Sequence, residues 1–165
     1  MPTLQNKIDF ILTIDVDNAN PNGDPLSGNM PRTDANGYGL ISDVAIKRKL
    51  RNRLQDLNQA IFVQANHRID DEFRSLQKRF ESYFDKKDTD QEVAEKSCQY
   101  WMDVRSFGQV ITYQNRSIGL RGPVSITMAK SVEPIVVSSM QITRSTNGME
   151  AKKEGVRSSD TMVMK

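Results

Sequence analysis

KIDFILTIDVDNANPNGDPLSGNMPR, Lys7–Arg32, joins two different kinds of pattern. From Lys7 to Asp17 apolar and polar residues alternate, with Ile8, Phe10, Leu12, Ile14 and Val16 on one face and Asp9, Thr13, Asp15 and Asp17 on the other. Period two is the signature of a strand with one buried face, so this stretch predicts a half-buried β-strand. The alternation stops at Asn18, and an irregular loop rich in Asn, Gly and Pro runs on to Leu40. A loop this long in a compact domain is commonly functional, and its glycines let the backbone approach a ligand closely.

Beyond the loop, Ser42 is a natural N-cap, and Ile46, Leu50, Leu54 and Leu57 form one stripe of a helix that should pack on a sheet. Within it, IKRKLRNR (Ile46–Arg53) carries five bases and no acid. Lys47, Arg48 and Arg51 share one flank of the helix, and Lys49 and Arg53 the other. Helical spacing recurs at Phe73, Leu76, Phe80 and Phe84 after the acidic Asp70, Asp71 and Glu72, and again from Val93 to Trp101, ending near Asp103. Gly119 to Pro123 predicts a turn, followed by an alternating strand over Val124–Met128 and a shorter strand-like run at Ile135–Val137. From Ser145 the chain is polar and aperiodic until Met162, which predicts a projecting or mobile segment.

Composition bounds the function. A length of 165 residues suffices for one domain with a real core. The net charge of +2 argues for no partner by itself, but bases gather at Lys47–Arg53, Arg116–Arg121 and Arg144–Arg157, while acids gather between Asp70 and Glu95. A lone cysteine, Cys98, excludes an internal disulfide and a multi-thiolate zinc site, which fits a reducing compartment such as the cytoplasm. No apolar run approaches the length of a membrane span, and no signal-peptide pattern opens the chain. The small number of strands for so many helices, with an apolar run starting at Met162, suggests a piece of a larger domain.

Three chemistries are open to these residues. Asn18, Asn20, Asn22, Gly23 and Asp24 imitate the opening of a calcium loop, but the first position lacks a carboxylate and the twelfth is Asn29, where a bidentate Glu is required. Asx-type turns within a rigid loop explain the same residues. Asp15, Asp17 and Asp24 are possible magnesium ligands for phosphodiester cleavage, though a solvated strand end accounts for the first two equally well. His67, the only histidine, sits in a polar stretch with no partner spaced to make it a general base. The third chemistry is phosphate binding, through the flank Lys47, Arg48 and Arg51 and the basic turn with Arg116, Gly119, Arg121 and Gly122.

The chain resembles the Cas-seven family, the repeated backbone subunit of CRISPR Cascade complexes, and most closely that of subtype I-C. The matching runs are NPNGDP (Asn20–Pro25), GNMPR (Gly28–Arg32), KRKLR (Lys47–Arg51), DVRSFG (Asp103–Gly108), LRGPV (Leu120–Val124), SVEPI (Ser131–Ile135) and ITR (Ile142–Arg144), in the family's order. The resemblance implies an α+β fold, a modified RNA-recognition-motif (ferredoxin-like) palm over residues 1–144 with helices inserted at about 58–104. Residues 145–165 would then be the thumb or its start, with the C-terminal palm absent. It implies a non-catalytic subunit that binds the crRNA backbone and polymerises along it, with target DNA recognised through the guide and other Cascade subunits as partners. No membrane, cofactor or metal is called for. The RNA-binding residues would be Asn20, Asn22, Gly23, Arg32, Lys47, Arg48, Arg51, Arg116, Gly119, Arg121, Gly122 and Arg144, with Met149 as an apolar wedge that displaces a nucleotide. The alternative is a metal-dependent endoribonuclease using the loop aspartates, as related backbone subunits of other CRISPR types do.

Overall fold

The computed structural model of the chain describes residues 4–140. The chain divides into two compact units, one formed by the residues before Ile41 and after Lys130, the other by Ile41–Lys130. Helices and strands are mixed, as expected for an α+β domain. The strands among the described residues pair as three two-stranded sheets.

In the second unit, helix α1 (Asp43–Asp56) begins where the capping signal places it: the Ser42 hydroxyl accepts a hydrogen bond from the Ala45 amide at 3.2 Å. Ile46 is buried, Leu50 and Leu54 are half-buried, and the end of the stripe, Leu57, is exposed. Helix α2 (Leu76–Glu81) is shorter than the aromatic spacing predicts. The acids before it do not form its first turn. The Asp71 side chain instead accepts from the Phe73 amide, closing a local turn, and Ser75 supplies the cap. Helix α3 (Asp90–Tyr100) opens on a reciprocal capping box between Thr89 and Glu92. Trp101 then takes an extended conformation, and a further helix, α4 (Met102–Phe107), continues beyond the expected end near Asp103. The break turns the indole into the core, 4.5 Å from the Phe62 ring.

Gly108 ends α4 at a φ of 80°, a conformation that favours glycine, and begins strand β1 (Gly108–Ile111). This strand pairs antiparallel with β2 (Ile118–Arg121). The predicted turn at Gly119–Pro123 is therefore corrected: Gly119 and Arg121 lie within a strand, and the chain reverses earlier, at Gln114 and Asn115, whose φ values are 56° and 62°. Phe62, Phe80, Phe84, Val93, Trp101, Val104 and Ile111 form the core of this unit, with Ile118 and Leu120 packed against it.

In the first unit the loop folds on itself. Two-residue strands β3 (Gly23–Asp24) and β4 (Met30–Pro31) pair around a single 3₁₀ turn, Pro25–Ser27. Strand β5 (Tyr38–Ile41) pairs with β6 (Ala129–Pro134). Gly39 donates its amide to the Ser131 hydroxyl at 2.9 Å, and Ile135 donates to the Gly37 carbonyl at 3.0 Å.

Three predicted strand segments are also corrected. Residues 7–17 lie in no strand, and their apolar face is exposed. The alternation survives only as a difference in exposure, with Ile14 at 39% and the off-face Ile11 at 94%. A strand needs a neighbour for its backbone groups, and none among the described residues pairs with this segment. Residues 124–128 and 135–137 likewise carry no ladder, and the strand there is β6, between them.

Candidate nucleic-acid interface

Helix α1 presents its two basic flanks differently from their spacing. Arg51 turns inward. Its Nε donates to the Asp103 carboxylate at 2.9 Å, and its side chain is 12% exposed. Asp103 is fully buried and also accepts from the amides of Phe62 at 2.8 Å and Val63 at 3.1 Å. Arg48 reaches the same loop, donating to the Val63 carbonyl at 2.6 Å. Burial, reinforced by the neighbouring Arg51 charge, lowers the Arg48 pKa from its ordinary value, against the opposing pull of Asp103. Together, the two arginines and Asp103 clamp residues 62–63 to α1.

Lys47 remains at the edge of this clamp. Its Nζ lies 3.4 Å from Asp43 and 5.9 Å from the centre of the Phe107 ring, over which the Arg51 guanidinium also sits at 5.1 Å. Lys49 and Arg53, on the other flank, are exposed. Of the predicted phosphate row, one lysine therefore stays half-open, while Arg48 and Arg51 hold the fold together.

Arg116 has a comparable internal task. One terminal nitrogen pairs with Asp90 at 2.7 Å, and the other donates to the carbonyls of Asp85, Lys86 and Asp88. It gathers the connection between α2 and α3 by donating to the carbonyls of that turn. Gly122 is close-packed: a Cβ there would collide with the Ser106 carbonyl, and Val124 donates to that same oxygen at 2.9 Å. Gly119 and Arg121 are exposed on β2.

In the first unit, Asn20 donates to the Asn29 carbonyl at 2.7 Å and Arg32 pairs with Asp24 at 3.4 Å. Asn22 accepts the Arg32 amide on its carbonyl, and Gly23 stands opposite Pro31. Asp24 also caps the 3₁₀ turn, accepting from the Leu26 amide and the Ser27 hydroxyl. These bonds make the loop a set of Asx-type turns. Asp15 and Asp17 are exposed, and among the described residues no three His, Cys, Asp or Glu side chains gather as a metal site. Arg144 and Met149 lie outside the described residues, as does the expected thumb.

Sequence reasoning gave no role to three residues that organise this region: Asp103, Phe107 and Arg79. The first two stand in the DVRSFG run, which was a visible signal. Arg79 is buried, donates to the carbonyls of Phe62 and Phe73, and grips Asp71 with two nitrogens, which lowers the Asp71 pKa. Its acidic partner lies eight residues before it, outside the usual helical spacings.

No helix among the described residues is long and apolar enough to cross a membrane. The chain is similar to a CRISPR-associated protein Cas7 from Haloferax volcanii, 33% identical over 116 residues, covering 68% of this chain and 34% of the relative. It thus spans about a third of the length of that curated relative. The family described as CRISPR-associated protein Cas7 matches residues 6–165. With nearly its whole length inside that match, the chain belongs to the Cas7 family.

Proposed function

We propose that this chain is part of a non-catalytic backbone subunit of a CRISPR Cascade complex, of subtype I-C, that holds guide RNA by its sugar–phosphate chain. The observation that carries the reading is the Cas7 match over residues 6–165. The described elements would belong to an RNA-recognition-motif-like palm, and residues 145–165 to its thumb. Among the described residues, Lys47, Lys49 and Arg53 on α1 and Arg121 on β2 are cations open to phosphates. Arg48, Arg51 and Arg116 support those elements from within.

Phosphate contacts carry no sequence information, so such a subunit accepts any guide, and recognition of target DNA is left to base pairing. Copies of the subunit stack head to tail along one RNA through a heterologous interface that does not close, flanked by other Cascade subunits.

Filter binding of the 165-residue chain to single-stranded RNAs of unrelated sequence, with EDTA present, tests the reading. Retention of every RNA supports it. A parallel incubation with magnesium should leave the RNA at full length. Cleavage that disappears on changing Asp15, Asp17 or Asp24 would instead establish the endoribonuclease.

A further inference from the structure

We propose that Asn22–Gly23 is a site of spontaneous covalent modification, at which the Asn22 side chain cyclises onto the following amide and opens to aspartate or isoaspartate, while the identical pair Asn36–Gly37 is held back by its own turn. In sequence the two pairs are equivalent. A glycine after asparagine leaves the amide nitrogen unshielded, because no Cβ stands beside it. That nitrogen, once base has removed its proton, attacks the asparagine Cγ. The N–Cγ bond forms, the Cγ–Nδ2 bond breaks, and ammonia leaves. Water then opens the five-membered imide, at Cγ to give aspartate or at the backbone carbonyl to give isoaspartate. The balance is one water taken up and one ammonia released, with no oxidant or cofactor.

Hydrogen bonding separates the two pairs. Gly23 stands opposite Pro31, which has no N–H to donate, and the Arg32 amide donates to the Asn22 carbonyl at 3.2 Å. Gly23 and Pro31 are therefore the non-hydrogen-bonded pair of the β3–β4 ladder, and the Gly23 N–H points away from β4. The Asn22 carboxamide reaches forward over Gly23, with Nδ2 3.5 Å from the Gly23 carbonyl oxygen, so it lies along the residue whose nitrogen attacks it. At the second pair the nucleophile is already engaged, because the Gly37 amide donates to the Asp34 carbonyl at 3.1 Å. The Asp34 carboxylate accepts from the Asn36 amide at 2.9 Å and the Tyr38 amide at 3.0 Å, an Asx turn that fixes the chain on both sides of Gly37. Cyclisation there has to break this turn. Exposure alone gives the opposite order, since Asn36 is exposed and Asn22 is half-buried. The product alters the loop: a carboxylate at position 22 adds a negative charge to the turn that holds Asp24 and Arg32, and isoaspartate adds a methylene to the main chain just before β3.

The test incubates the full 165-residue chain in mildly alkaline buffer, with and without denaturing urea, and follows each site by tandem mass spectrometry. Trypsin separates the sites, because cleavage after Lys7, Arg32 and Lys47 puts Asn22 and Asn36 on different peptides. Asn147–Gly148, a third such pair, lies outside the described residues and falls on a peptide of its own. In the native chain Asn22 should convert roughly three- to tenfold faster than Asn36, the scale of one backbone hydrogen bond, and in urea the gap should close. Asp34→Ala, which removes the carboxylate that fixes the turn, should raise the native Asn36 rate toward that of Asn22. Native rates that are equal or reversed, a gap that survives in urea, or an Asn36 rate unmoved by Asp34→Ala overturns the proposal.

Discussion

At the scale of single residues, the same side-chain type performs opposite tasks within one helix. Arg51 and Arg48 point to the buried Asp103 and the Val63 carbonyl, while Lys49 and Arg53 face solvent. Removing Arg51 leaves a fully buried carboxylate without its counter-charge, so Arg51→Ala should cost about 3–5 kcal/mol. Asp103→Ala should cost a similar amount, and the double variant well under the sum, because the two form one network. Urea denaturation of the three proteins measures this, and strict additivity would show that the pair does not couple. Any RNA-binding defect of Arg51→Ala therefore has to be read beside its stability, whereas Lys47→Ala, at the open edge, is the cleaner probe. Asp71 adds a pH dependence. Its carboxylate, gripped by Arg79, is held below its ordinary value of 3.8, so the unfolded chain takes up the proton first as pH falls. That stabilisation is complete well above 3.8 and disappears as pH drops through the lowered folded value. Asp71→Asn should accordingly flatten the acid limb of a stability-against-pH curve.

At the scale of elements, the helices were legible and the strands were not. Ser42 begins α1 through an interaction three residues long, and short-range chemistry of that kind is written in the local sequence. Ser42→Ala should lower stability by about 1 kcal/mol, read from the same urea curves. The β1–β2 hairpin was misread because its glycines imitate a turn. Gly119 sits in the ladder, Gly122 is required by the Ser106 carbonyl, and the left-handed positions of the real reversal are Gln114 and Asn115. The strand predicted over 7–17 failed for a different reason, since its pattern describes one face and cannot supply a neighbour. The roles of the arginines were illegible because the deciding partner is remote: Asp103 lies 52 residues beyond Arg51. A segment that pairs with no strand among the described residues and carries an apolar face invites pairing between molecules. Leu12→Lys should therefore reduce concentration-dependent association in sedimentation experiments, and no change would show that this face is not the cause.

At the scale of the whole molecule, the described core belongs to the unit Ile41–Lys130, where Phe62, Phe80, Phe84, Trp101 and Ile111 are all buried. Amide exchange should be slowest around these residues and fast over 7–17, where no ladder among the described residues protects the backbone. Mass spectrometry of exchanged peptides resolves the two, and slow exchange over 7–17 would mean that the segment pairs after all. Membership of the Cas7 family makes RNA the first ligand to test, and the dispersed, open cations favour a grip on phosphates over a reading of bases. The most direct test is the salt dependence of binding to two single-stranded RNAs of unrelated sequence, in EDTA. A guide-holding subunit predicts nearly equal affinities and the same steep negative slope of log affinity against log salt for both. Binding to only one of the two RNAs, or affinity that does not respond to salt, would contradict it.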